Sequence, residues 1–212
     1  MASKHTPNKL YKITGYSGIF IALLGLSVSV LLERTFAIDP AILNAVSQLH
    51  TPQTERVMIF FTWLGNPQWT VPLAIVVFVS LWLGKHQKQA TIFMLNCFGG
   101  AVLSTCLKIF FGKVRPALWE SPIVETTFSY PSGHALGSVV LYGFLAYLLA
   151  IRLPGHRGVI YVGAIALCLA IGFSRLYLGV HWPTDLIGGY IIGFLWTSIC
   201  VGLLQAKRKH AG

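Results

Sequence analysis

Three short strings of polar residues in the second half of the chain combine fixed positive charge, histidine and carboxylate. They lie at residues 108–116, 131–134 and 174–185. Lys108, Arg115 and Arg175 supply the positive charge, and arginine presents a planar fork that matches the oxygens of a phosphate group. The residue types therefore predict one phosphate-binding site built from three separate segments.

The second string predicts the start of a helix that faces an anion. Ser132 and Gly133 follow Pro131, so free backbone N–H groups and the positive end of the helix dipole would point at the bound group. Gly133 has no side chain and lets the backbone approach closely. His134 follows at the same helix start.

The third string predicts an activated imidazole. His181 precedes Asp185 by four residues, about one helical turn. A neighbouring carboxylate fixes the tautomer of the ring and raises its basicity, as in covalent and general-base catalysis. With His134, two histidines would stand beside the phosphate, so that one attacks phosphorus and the other protonates the leaving oxygen. Attack by His181 would give a phosphohistidine that water then hydrolyses.

Each of these residues alone has an ordinary explanation. Lys108 could extend its ammonium group from a helix end to the interface, Arg115 could pair with Glu120, and Asp185 could answer a helix dipole. A metal mechanism is disfavoured because the chain has only six acidic residues and one of them, Asp185, belongs to the strings. We therefore predict neither a metal nor another cofactor.

The composition indicates a membrane protein that must position these strings. Of 212 residues, 55% are hydrophobic and 10% charged, against roughly 25% charged in soluble domains. At about 20 apolar residues per crossing, the sequence predicts an all-α, polytopic bundle of six transmembrane helices that forms one domain over residues 1–212. The predicted spans are 13–32, 68–83, 89–111, 133–151, 159–178 and 184–204.

Short helices are predicted between the first two spans. Asp39 could cap an amphipathic helix with Pro40 at its first position, lying at the membrane interface; packing against the bundle without a functional role is an equal alternative. A short outer helix should end at Gly65-Asn66-Pro67, because proline lacks the N–H that a helix interior needs. The first span follows a lysine-rich start but has no small-residue cleavage site, so it should remain uncleaved.

The distribution of lysine and arginine predicts the orientation. Residues 1–12, 85–88, 152–157 and 207–209 contain lysine and arginine without any acidic residue. By the positive-inside rule both termini should be cytoplasmic, and all three strings should meet at the extracytoplasmic end. This topology also accounts for the net charge of +10, since no nucleic-acid-binding motif accompanies it.

The three strings resemble the three-part signature of the type 2 phosphatidic acid phosphatase superfamily, in order and in spacing. The resemblance implies an integral membrane phosphatase that acts on lipid phosphates or diphosphates without a metal. It implies that His181 is the nucleophile, Asp185 its partner and His134 the general acid. It also implies the phosphate-binding residues, which are Lys108, Arg115, Ser132, Gly133 and Arg175.

The leading hypothesis is hydrolysis of phosphatidate or undecaprenyl diphosphate at the outer face of the membrane. The partners are then the bilayer and its lipid phosphates, not nucleic acid. One alternative is a phosphotransferase that uses the same residues with an acceptor other than water. Another is a non-enzymatic anion or lipid-transport bundle, which would leave the histidines and Asp185 unexplained. The loop at residues 117–130, with Trp119, Phe128 and Tyr130, could select the head group or anchor the protein as an aromatic belt.

Overall fold

The computed structural model describes residues 8–32 and 38–206, and within them the chain is helical without strands. The first helix, α1 (Asn8–Leu31), forms a unit of its own and is apolar from Tyr16 to Leu31. The second unit contains the remaining helices. They are α2 (Ile38–Ser47), α3 (Pro52–Leu64), α4 (Pro67–Leu83), α5 (Gln87–Phe111), α6 (Gly133–Arg152, with a π-helical turn at Val139–Gly143), a 3₁₀ turn (Pro154–His156), α7 (Arg157–Tyr177) and α8 (Pro183–Ala206).

Four of these helices, α5 to α8, are long and apolar enough to cross a membrane. The pair α3 and α4, bent by 43°, meets the same criterion if both helices belong to one span. The predicted all-α bundle is confirmed, with four or five candidate spans among the described residues. The total of six stays a prediction, since the described apolar stretch of α1 is shorter than a full crossing.

The break between α3 and α4 occurs where the sequence predicts it. Asn66 has an extended backbone, and its carbonyl oxygen accepts from the first turn of α4. Gly65 lies directly against His134, since a Cβ at this position would come within 2.5 Å of the His134 ring. The break therefore brings Asn66 next to a residue of the second string.

Helix α2 packs against the bundle, which is the alternative interpretation of its amphipathic pattern. Leu43 is fully buried against Leu176 and Leu186. The predicted cap is wrong, because Asp39 lies within the first turn of α2 and its carboxylate accepts hydrogen bonds from Thr184 of α8. Asp39 thus accepts hydrogen bonds from the first turn of α8.

Close packing of α6 against α8 sets the position of both helix starts. A Cβ on Gly189 would lie 2.7 Å from the carbonyl oxygen of Ser132, and one on Gly193 would lie 2.8 Å from that of Leu136. Small residues let two helix backbones approach in this way. Because α5 and α7 end where α6 and α8 begin, the three polar strings meet at one end of the bundle.

Candidate active site

Most of the predicted site residues line one cavity of about 870 Å³. Six of them line it, namely Lys108, Arg115, Gly133, His134, Arg175 and His181. Ser132 and Asp185 lie behind this lining and are fully buried. Residues from four helix ends and two loops therefore converge, as the single-site hypothesis requires.

His181 and Asp185 form a buried pair. The ring Nδ1 lies 3.3 Å from Asp185 Oδ2, and the same oxygen accepts from Ser129 Oγ at 2.5 Å and from the backbone N–H of Trp182 at 2.9 Å. A carboxylate at Nδ1 assigns the ring proton to that nitrogen, so Nε2 retains its lone pair. Nε2 is 3.1 Å from Arg115 Nη1, which donates to it. The unprotonated nitrogen thus faces the Arg115 guanidinium.

The protonation state of His181 suits a nucleophile. Burial, aided by the positive charges of Arg115 and Arg175, lowers the pKa of His181 to about 3, although the neighbouring Asp185 opposes this shift. At neutral pH the ring is therefore uncharged, and the Nε2 lone pair is available to attack an electrophile.

The cations are held by residues 125–128 of the loop between α5 and α6. Glu125 forms ion pairs with both arginines, to Arg115 at 3.3 Å and to Arg175. Lys108 donates to the carbonyl oxygen of Phe128 at 2.5 Å, and Arg115 donates to that of Thr127 at 2.8 Å. The suggested pairing of Arg115 with Glu120 is wrong, because the loop presents Glu125 instead.

Glu125 remains ionised between the two arginines. Burial favours its neutral form, but Arg175 and Arg115 outweigh that effect and lower the pKa of the carboxyl group. Its carboxylate therefore occupies, as a planar anion, the position where the arginine forks converge.

His134 lines the same cavity from the start of α6. Its Nε2 is 2.7 Å from Asn66 Oδ1. Since an amide oxygen only accepts, Nε2 bears a proton, and in the neutral ring Nδ1 is the unprotonated nitrogen.

Ser132 is the N-cap residue of α6 in this structure. Its backbone N–H donates to the carbonyl oxygen of Asp185 at 3.0 Å, and its hydroxyl caps the helix by accepting from the N–H of Ala135. Gly133 lines the cavity, where a Cβ would come within 3.7 Å of the Lys108 side chain. Phosphate binding by Ser132 and Gly133 stays a prediction.

Sequence reasoning missed several side chains that complete the site. These are Asn66 beside His134, Thr62 beside Arg175, Glu125 between the arginines, Ser129 on Asp185, and Lys113, whose Nζ lies 2.7 Å from Asp185 Oδ1. Lys113 lies within the first string and Ser129 is two residues before the second, so proximity in sequence was a usable signal. Thr62 and Asn66 had no such signal apart from the helix break.

The aromatic residues of the loop differ in their surroundings. Tyr130 is fully buried and packs edge-on against Phe111, and Trp119 packs against His50. Phe128 is exposed. Tyr130 is therefore neither a membrane anchor nor a head-group contact, and Phe128 alone of the three projects outward.

Comparison with known proteins identifies the class that this fold and site define. Residues 89–209, more than half of the chain, match the PAP2 superfamily. Phosphatidylglycerophosphatase B of Bacillus subtilis is 30% identical over 195 residues, which cover 90% of this chain and 95% of that protein. The chain therefore belongs to the PAP2 superfamily and is a multi-pass membrane protein, which confirms the family resemblance of the three strings.

A solved structure supports the same assignment. The crystal structure of a PAP2-type phosphatidylglycerolphosphate phosphatase from Bacillus subtilis matches with a TM-score of 0.81 and 28% identity, over 89% of this chain and 94% of that one. Similarity also extends to proteins named for other lipids. The undecaprenyl-diphosphatase of Sulfolobus acidocaldarius is 25% identical over 171 residues, 78% of each chain, and the lipid A 4'-phosphatase of Bacteroides thetaiotaomicron is 28% identical over 77% of this chain and 75% of its own.

Proposed function

We propose that this protein hydrolyses the phosphate ester of a membrane lipid through a phosphohistidine on His181. One observation supports this most directly: the unprotonated Nε2 of His181, with Asp185 behind its Nδ1, faces the cavity that Arg115 and Arg175 also line. A bundle that only bound or transported anions would need the arginines but not an imidazole activated in this way.

The reaction follows from these positions. The cations bind the phosphate oxygens, and His181 Nε2 attacks phosphorus with its lone pair. The N–P bond forms as the P–O bond to the lipid breaks. Arg115, Arg175 and Lys108 stabilise the charge that accumulates on the phosphoryl oxygens.

His134 completes the proton balance. A bound phosphate dianion favours uptake of a proton from solvent by this ring, which gives an imidazolium whose Nε2–H bonds to Asn66 Oδ1. The imidazolium then gives its Nδ1 proton to the leaving lipid oxygen. The neutral His134 then takes a proton from water as that water attacks phosphorus, and the N–P bond breaks with its electron pair returning to His181 Nε2. Inorganic phosphate leaves, His134 releases its extra proton to solvent, and both histidines return to their starting states.

The cavity extends from the cations into an apolar wall, which suits a lipid. Val71 and Ile75 of α4 face Met94, Phe98 and Ala101 of α5 along this wall. A phosphate site continuous with an apolar wall between helices fits a head group attached to a hydrocarbon chain.

Among lipid phosphates, we propose phosphatidylglycerophosphate as the preferred substrate, ahead of phosphatidate and undecaprenyl diphosphate. The support is the similarity to the Bacillus subtilis phosphatidylglycerophosphatase over nearly the whole of both chains. All three lipids present a terminal phosphoryl group to His181, which leaves an alkoxide oxygen in the two phosphomonoesters and a second phosphate in the diphosphate. The preference therefore depends on the leaving group and on residues beyond the phosphate site.

The test is phosphate release by the purified protein in detergent. Phosphatidylglycerophosphate, phosphatidate, and C55 and C15 prenyl diphosphates are compared by kcat/KM, without any added acceptor. Release from phosphatidylglycerophosphate should be the most efficient. A folded protein that releases phosphate from none of them contradicts the proposed reaction, and a larger kcat/KM for a prenyl diphosphate contradicts the substrate preference alone. Release only when an acceptor alcohol is supplied would favour phosphotransfer.

We place the site at the extracytoplasmic face, because the loops at the other end of the bundle carry lysine and arginine without acidic residues. A cysteine replacing the exposed Val124, in a background without native cysteines, should react with an impermeant thiol reagent in intact cells. One replacing the exposed His86, at the other end of the bundle, should react only after permeabilisation. The reverse pattern would place the site in the cytoplasm.

A further inference from the structure

A second group of charges lies directly behind the His181–Asp185 pair. Lys113 Nζ is 2.7 Å from Asp185 Oδ1, 3.0 Å from Thr184 Oγ1 and 3.9 Å from Asp39 Oδ2. Asp39 in turn accepts from the Thr184 hydroxyl at 2.6 Å and from its backbone N–H at 3.1 Å. We call Asp39, Lys113, Thr184 and Asp185 the Lys113 cluster. It joins α2, the loop after α5 and the start of α8.

The cluster is buried and its hydrogen bonds are directional. The side chains of Asp39 and Asp185 are 5% and 0% exposed, and that of Lys113 is 21% exposed. Thr184 donates its hydroxyl proton to Asp39 while the same oxygen accepts from Lys113. Removing one member of such a buried network leaves the others unsatisfied.

We infer that Asp39 and Lys113 are positioning residues for catalysis. They hold the Asp185 carboxylate in place and keep its negative charge directed at His181. This inference rests on the proposed function. Lys113 fixes Oδ1, which leaves Oδ2 directed at the ring Nδ1. The orientation of Oδ2 in turn keeps Nε2 directed at the phosphate.

The role of Asp39 follows from charge. One ammonium between two carboxylates leaves a net charge of −1 in the cluster, from +1 for Lys113 and −1 each for Asp39 and Asp185. When Nε2 bonds to phosphorus the imidazole becomes cationic, and the net negative charge behind it stabilises that ring. Without the charge of Asp39, Lys113 would neutralise Asp185 and draw it away from the histidine. Because Asp39 also attracts Lys113, the lysine is drawn less strongly toward Asp185.

A purely structural role for the cluster gives different expectations. If Asp39 only docked α2 on α8, its loss would lower the melting temperature and the yield of folded protein, while each folded molecule kept its turnover number. If it positions Asp185, the folded enzyme itself should form the phosphohistidine more slowly, with little change in substrate affinity.

The experiment compares the substitutions Asp39→Asn and Lys113→Met with the wild-type enzyme, using kcat, KM, melting temperature and the single-turnover rate of phosphoenzyme formation on phosphatidylglycerophosphate. Groups that orient metal-ligating side chains typically cost about 10- to 100-fold when removed. By analogy we expect kcat to fall by this factor, with KM changed by less than about twofold. Lys113→Arg should restore part of the loss. The double variant should fall little below the worse single variant, because the two residues act through one carboxylate.

Two matched controls lie outside the site. Glu55→Gln removes an exposed carboxylate from the first turn of α3, and Lys88→Met removes a lysine that donates to the carbonyl oxygen of Leu204 at the other end of the bundle. Both should retain wild-type kcat.

The outcomes separate this inference from the function on which it rests. An active wild type with kcat for both single variants within about twofold of it overturns the positioning role and leaves the phosphatase assignment intact. So does a loss of activity that disappears when rates are expressed per mole of folded, phosphoenzyme-forming protein. A wild type inactive on every lipid phosphate overturns the proposed function, and the inference with it.

Discussion

The two halves of the site differ in how completely they are assembled. Around His181, Asp185 has both carboxylate oxygens hydrogen-bonded, to Lys113 on one side and to Ser129 and the Trp182 backbone on the other. Around the phosphate position, the cations are bound to the loop and to the Glu125 carboxylate. On the proposed function, the half around His181 is preorganised, whereas the phosphate-binding half has to exchange the Glu125 carboxylate for a phosphate.

We therefore expect the two halves to affect different steps, substrate binding and the chemical reaction. On the proposed function, a substrate phosphate displaces Glu125 from Arg115 and Arg175, and we expect that half to control binding. The half around His181 has little freedom, since the side chains of His181 and Asp185 are 1% and 0% exposed, and we expect it to control the chemical step. Mutations in the two halves should therefore separate into effects on kcat and effects on KM.

The largest loss of activity is expected in the half around His181. His181→Ala removes the nucleophile and should reduce phosphate release to background, as removal of a catalytic nucleophile can cost about 10⁶ in kcat. Helix content and elution from size exclusion should match the wild type. A variant that retains more than about a tenth of the wild-type rate, a barrier change of about 1.4 kcal/mol, would exclude His181 as the nucleophile.

His134 should show an effect that depends on the leaving group. A general acid contributes about 10² to 10⁴ in rate, so His134→Ala should slow hydrolysis of phosphatidate, whose alkoxide needs a proton, by this factor. Hydrolysis of p-nitrophenyl phosphate should be much less affected, because its phenolate leaves without one. Single-turnover measurements must first show that chemistry limits both reactions. Equal losses on the two substrates would leave His134 as a phosphate ligand only.

Local sequence features predicted most of the helices and the residues that the structure brings together at one end of the bundle. The apolar runs and the Gly65-Asn66-Pro67 break are local, so the helix limits agree with the predicted spans to within a few residues at most ends. The spacing of His181 and Asp185 within one turn also sufficed to predict their contact. Asp39 and Thr184 are 145 residues apart, and their contact depends on how α2 docks, which no local pattern encodes.

The partner of Arg115 shows the same limit within a single loop. Glu120 and Glu125 are both within reach of Arg115 in sequence, and only the path of the loop decides between them. That path is fixed by backbone carbonyls of Thr127 and Phe128, which bind the cations themselves. Side-chain charge alone was therefore insufficient to select Glu125.

A smaller effect, a decrease in KM and not a loss of activity, is expected in the phosphate-binding half. Glu125→Gln keeps the shape of the side chain but removes the charge that competes with phosphate for the two arginines. Because the Glu125 side chain is 24% exposed, we expect only about 1 kcal/mol, or about a fivefold decrease in KM, with kcat unchanged or higher. Inorganic phosphate should also inhibit this variant at lower concentration.

The matched control for that variant is Glu120→Gln, a carboxylate in the same loop. It should leave KM unchanged. An increase in KM for Glu125→Gln, with Glu120→Gln unaffected, would show that Glu125 holds the arginines in their binding geometry and does not compete with substrate.

The smallest expected effect is that of EDTA, which should leave kcat/KM unchanged. On the proposed function, the cations of the phosphate-binding half supply the positive charge that a metal would provide. Both carboxylate oxygens of Asp185 already accept hydrogen bonds, one from Lys113 and the other from Ser129 and the Trp182 backbone. Among residues 8–32 and 38–206, no three histidine, cysteine or acidic side chains lie close enough together to bind a metal ion. Vanadate should inhibit competitively, because it adopts the five-coordinate geometry of the transferring phosphoryl group. The assay needs a magnesium-dependent phosphatase in the same buffer to show that the chelator acts. Activity lost in EDTA and restored by Mg²⁺ would mean that a metal, and not Lys108, Arg115 and Arg175, neutralises the charge of the phosphoryl group.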